Sequence, residues 1–112
     1  MNQKQINDAV DYIYTHGQKY AHAKAEVTYI EEYRKSLKAI LMEQAMKDGA
    51  RSAAKAEMIA YSDPKYLELL DGLKVAVEAA EGLRWGLVSA QARIEVWRSL
   101  EASNRLMDRS VA

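Results

Sequence analysis

The 112-residue chain has no cysteine, no phenylalanine and a single proline. Without Cys there are no disulfides, no thiolate catalysis and no zinc site built on sulfur. A reducing, intracellular setting is compatible with that absence. Two His and no Cys give no basis for a dedicated transition-metal site, and no metal or cofactor is expected. Net charge is also missing, with 16 Lys and Arg against 16 Asp and Glu. No stretch approaches the ~18 unbroken apolar residues of a membrane span. Met1-Asn2-Gln3-Lys4-Gln5 lacks the charged-then-apolar layout of a secretory signal. There is no Gly-rich phosphate loop, no His-Glu metal helix and no Ser/His/Asp order with a supporting fold. Catalysis is therefore the reading the sequence supports least, and no enzyme is expected.

What is present is helical pattern. The chain is 49% apolar and 29% charged, far from the disordered class. Its length suits one domain. The few breakers divide it. Gly17 interrupts the first segment. Asp48-Gly49 reads as a helix stop, because Gly tolerates the left-handed conformation that closes a helix. Ser62-Asp63-Pro64 reads as a helix start: Asp63 caps free amides and Pro64 suits the first helical position. The expected layout is a leader over residues 1–16, a helix over 18–47, a short helix over 50–61 and a long helix over 64–109.

Periodicity agrees. Tyr20, Ala23, Val27, Ile30, Leu37 and Leu41 recur at helical spacing in the first long helix. In the last, Leu73, Ala76, Ala80, Leu83, Leu87, Ala90, Ile94 and Trp97 alternate by three and four without a gap, forming a heptad seam. No segment keeps a strand-like period of two. At 1.5 Å per residue the last helix would be roughly 65–70 Å long. The expected fold is all-α, an elongated helical hairpin of two long helices joined by a short one. Leu69, Val75, Val77, Val88, Val96 and Leu100 spread apolar surface beyond the seam, so self-association is expected through the long helix, with Leu83, Trp85, Leu87, Ile94 and Trp97 as interface residues. Gly82, Gly86 and Ala90 share one face, where small residues let a neighbour approach closely.

Charge is unevenly spread. From Arg34 to Lys55 six basic residues (Arg34, Lys35, Lys38, Lys47, Arg51, Lys55) face only Glu43 and Asp48. From Ala56 to Glu81 the balance is reversed, six acidic to two basic. A basic cluster at the end of one helix and the start of the next can straddle a phosphate backbone, with helix amides at Ala50 to Ala53 as further donors. Tyr29 and Tyr33 are candidates to stack unpaired bases. The competing account is a set of solvated charges paired with Glu31, Glu32 and Glu43 on the same helix. His16 and His22, six apart, fit neither helical metal pairing and read as structural or surface residues.

Two stretches resemble the UvsY-type recombination mediators of T-even-like bacteriophages. The first is Leu37-Lys38-Ala39-Ile40-Leu41, similar to the family's basic Leu-Lys-Ala-Arg-Leu segment, with Lys38 at the family's Lys and Ile40 in place of its Arg. The second runs from Lys55-Ala56-Glu57-Met58 through Leu83-Arg84-Trp85-Gly86-Leu87 toward Arg105. The resemblance implies a helical protein that self-assembles, in a ring for example, in the host-cell cytoplasm. It implies single-stranded DNA as ligand, and a recombinase or single-strand-binding protein as partner. The alternative, from another class, is a helical adaptor or inhibitor of a protein partner, with no nucleic acid and with Trp85 as its anchor.

Overall fold

The structure, a computed structural model, describes residues 2–111. It is all-α: α1 (Gln3–Lys47) and α3 (Pro64–Val111) are long, α2 (Ala53–Ser62) is short and joins them, and no strand occurs among the described residues.

The leader expected over residues 1–16 is instead the start of α1, which runs unbroken through Gly17. The Asn2 side-chain oxygen accepts from the Gln5 amide at 2.9 Å, and the Gln5 side chain accepts from the Asn2 amide at 2.8 Å. This reciprocal capping box satisfies two amides that a helix start would leave free. Tertiary burial does the rest. Ile6 and Ala9 are buried, and Tyr12, Ile13 and His16 half-buried, at helical spacing. One interior Gly costs about 1 kcal/mol, less than that burial returns.

The stop at Asp48-Gly49 is present. Gly49 has φ 108°, the left-handed region that favours glycine. The Ala50 amide donates to the Ala45 carbonyl at 2.9 Å and the Gly49 amide to Met46 at 3.2 Å, the paired bonds of a Schellman closure. The short helix begins three residues later than residue 50, because Ser52 is the cap. Extended at φ −149°, it accepts from the Lys55 amide at 3.1 Å. The third helix starts where Asp63 and Pro64 place it, with the Lys65 amide donating to the Asp63 carboxylate at 2.8 Å.

The chain divides into two compact units. One comprises His22–Ala80, the other Met1–Ala21 with Glu81–Ala112. In the first, Leu37 and Leu41 of α1, Ala60 of α2 and Tyr66 of α3 form a buried cluster, with Met42, Leu69 and Leu70 against it. In the second, the buried residues are Ile6, Ala9 and Ala90. Gly86 permits a close approach there. A Cβ at this position would overlap the Tyr12 hydroxyl and lie 3.1 Å from its Cζ, whereas Gly82 has nothing within 4 Å. Tyr12 stacks on His16 at 3.8 Å, and the Tyr12 carbonyl oxygen lies 3.1 Å from His16 Nδ1, a structural setting for that histidine.

Candidate nucleic-acid interface

The basic block does not form one surface. Arg34, Lys35 and Lys38 project from consecutive turns of α1 and line a hollow of about 300 Å³ with Tyr61 and Tyr66. Arg51 and Lys55 line a separate hollow of about 480 Å³ with Asp48, Gly49, Ala50 and Ile59, where the chain turns between α1 and α2. Lys47 lines neither and pairs with Glu43 one turn back at 3.2 Å. The amides expected as anion donors at residues 50–53 are partly engaged. Ala50 donates to Ala45, and the helix start is shifted to Ala53 behind the Ser52 cap.

Lys38 is the most constrained cation of the set. Its ammonium lies 4.8 Å from the Tyr61 ring centroid and 3.6 Å from the Glu57 carboxylate. The Tyr61 hydroxyl chiefly, and Glu57 after it, hold its pKa above the ordinary lysine value, against a smaller opposing effect of desolvation. Lys35 pairs with Glu32 at 3.2 Å, both side chains about two-thirds exposed, so water and salt can part them readily. The competing account of the cluster, solvated charges paired along the helix, thus describes Lys35 and Lys47. It does not describe Lys38, whose partners come from α2.

Tyr29 and Tyr33 are exposed and stack on each other in parallel, centroids 6.4 Å apart. At about 100° per residue they lie roughly 120–180° around α1 from Lys35 and Lys38, on a different flank. The aromatics that share the hollow with the cations are Tyr61 and Tyr66, set edge to face at 5.2 Å. Sequence reasoning missed both. The signal was the pair Tyr61 and Tyr66 bracketing Asp63-Pro64, a turn that folds the start of α3 back beside the end of α2.

Of the five residues expected at an oligomer interface, Leu83, Leu87, Ile94 and Trp97 are half-buried along the seam within their own unit. Trp85 is the exception at 59% exposed, with the Arg84 guanidinium 4.5 Å over its ring. Among the described residues no group of three or more His, Cys, Asp or Glu could hold a metal ion. No helix among the described residues is long and apolar enough to cross a membrane.

The class these features define is an all-α chain with one cation- and tyrosine-lined hollow where α1, α2 and α3 meet and a second, cation-lined hollow at the α1–α2 turn. Compared with known proteins, the chain matches no family model, no curated protein and no solved structure.

Proposed function

We propose that the chain is a single-stranded-DNA-binding accessory protein of phage or prophage homologous recombination, a mediator. The observation that carries the reading is the hollow of Arg34, Lys35 and Lys38 with Tyr61 and Tyr66, which sets three cations beside the exposed Tyr61 ring. Phosphates exchange with the exposed Glu32 for Lys35, and the Tyr61 ring accepts a base without regard to sequence. Arg51 and Lys55 give a second phosphate contact on the same strand. Self-association would repeat this modest site, so that avidity raises affinity. The resemblance at Leu37–Leu41 and Lys55–Met58 supports the same reading, and a recombinase or single-strand-binding protein is the partner it implies.

The test is retention of fluorescent oligo-dT across a salt series. Binding is expected at low salt, with a log–log slope of about −0.7 per phosphate neutralised. Lys35→Glu with Lys38→Glu is expected to weaken it far more than Lys4→Glu, at unchanged helix content. Absence of retention at low salt, or equal binding by the double variant, overturns the mediator reading.

One observation favours the second reading, a helical adaptor or inhibitor. The exposed Trp85 on α3 is the kind of aromatic anchor that protein interfaces bury. Under that reading the basic hollows are solvated, and binding of the partner protein varies little with salt.

A further inference from the structure

The last thirty residues of α3 carry two apolar stripes on opposite sides. The seam through Leu83, Leu87, Ala90, Ile94 and Trp97 is buried or half-buried. Carried past Trp97 at the same spacing, it lands on Glu101, Arg105 and Asp108, all exposed. The sequence makes that face wet where nothing covers it. About 180° around the helix, Trp85, Val88, Ala92, Val96 and Leu100 recur at steps of three, four, four and four. All are exposed, Trp85 at 59% and Leu100 at 51%. This stripe spans 16 residues, ~24 Å of helix, and ends where Ser103 and Asn104 take the next turn of the same face. A continuous apolar face of this kind marks an interaction surface.

Charge decides what covers it. One flank of the stripe holds two ion pairs four turns apart, Glu81–Arg84 at 2.9 Å and Glu95–Arg98 at 3.2 Å. The other flank, from Glu81 to Met107, carries Arg93 alone among charged residues. In an antiparallel helix pair like flanks face each other. A reversed second copy of α3 then sets Glu81 against Arg98 and Arg84 against Glu95, twice over by symmetry. The same register lays Trp85 against Val96 of the other copy, close to the two-fold axis near residue 90. A parallel copy would face the charged flank with the nearly uncharged one and lose all four pairings.

We infer that the Trp85–Val96 face of α3 is a homodimer surface whose occupant is the same face of a second copy, antiparallel and registered by Glu81, Arg84, Glu95 and Arg98. This contact lies outside the seam and is independent of the nucleic-acid reading.

Light scattering of the intact chain at micromolar concentration is expected to give twice 12.7 kDa, or an even multiple of it. Trp85→Glu is expected to return the protomer mass with unchanged helix content. The variant Arg84→Glu/Arg98→Glu, all acidic on this flank, and the variant Glu81→Arg/Glu95→Arg, all basic, are each expected to self-associate about tenfold or more weakly than the parent, and an equimolar mixture to recover the dimer. Because the chain has no cysteine, Ser89→Cys near the axis is expected to form a disulfide-linked dimer on oxidation, and Ser103→Cys, remote from it, is not. A monomeric parent, charge variants that associate as the parent does, a mixture that stays monomeric, or preferential linkage through Ser103→Cys overturns the inference.

Discussion

The two units of the chain solve the same packing problem with different means. In His22–Ala80, three helices converge, and α2 supplies the third wall that lets Leu37, Leu41 and Tyr66 become buried together. In the other unit only α1 and α3 are present. Its buried residues are Ile6, Ala9 and Ala90, and Trp85, Val96, Leu100 and Met107 stay exposed. Two helices bury one stripe each, and a third element is needed to close a core. The short helix α2 does this for one unit. A second copy of α3 is the proposed third element for the other.

The largest way to test that contrast is by truncation. Leu41→Ala, in the three-helix core, is expected to cost about 2–5 kcal/mol in denaturant unfolding. Leu100→Ala, measured in dilute solution with protomers apart, is expected to stay within about 0.5 kcal/mol. Equal losses would mean that the exposed stripe is covered within the protomer.

Helix capping comes next. Removing the Asp63 carboxylate in Asp63→Ala is expected to lower stability by about 0.5–2 kcal/mol, because that residue starts α3 beside the main core. Asn2→Ala removes half a capping box at the outer end of α1, and its cost is expected to sit at the lower end of that range. A larger loss for Asn2 than for Asp63 would reverse the ranking of the two units.

The glycines sharpen the comparison within the two-helix unit. Gly82→Ala meets open space and is expected to stabilise α3 by up to ~1 kcal/mol. Gly86→Ala forces Tyr12 to move and is expected to forfeit that gain, which Tyr12→Phe in the same chain should partly restore. Equal gains at both glycines would show that Tyr12 is free to swing away.

The smallest effect is a pH dependence confined to the three-helix unit. The Lys38 pKa is raised in the folded chain by Tyr61 and Glu57. A raised cation contributes stability that is fully present below the ordinary lysine value of about 10.4 and is lost as pH climbs through the folded-state value. The melting-temperature difference between the parent and Lys38→Met is therefore expected to be level across neutral pH and to shrink above it. A difference that changes between pH 6 and 8 would assign the contribution to another group.

Much of the fold was legible. The alternation from Leu73 to Trp97 marked the buried side of α3, and Gly49, Asp63 and Pro64 marked its neighbours' ends, because caps and stripes are local rules read over a few residues. The leader was misread. Gly17 suggested a break, while the Asn2–Gln5 capping box and the apolar spacing of Ile6, Ala9 and Ile13 pointed to helix and were passed over. The candidate site was legible only as composition. Six cations between Arg34 and Lys55 could be counted, but not their division between two hollows, nor the separation of Tyr29 and Tyr33 from Lys38.

The sequence by itself determined that this is a three-helix, strandless chain, where the long helices begin and end around residues 47 and 64, and which stripe of α3 is covered. Those outcomes follow from the backbone's need to satisfy its terminal amides and carbonyls and from the 3.6-residue period, both local. Tertiary structure decided the rest. It carried α1 through Gly17 by burying Ile6 and Ala9, required Gly86 to make way for Tyr12, and brought Glu57 and Tyr61 of α2 to Lys38. Each of these joins residues at least 19 positions apart or depends on burial by another helix, and neither propensity nor spacing along one helix carries that information.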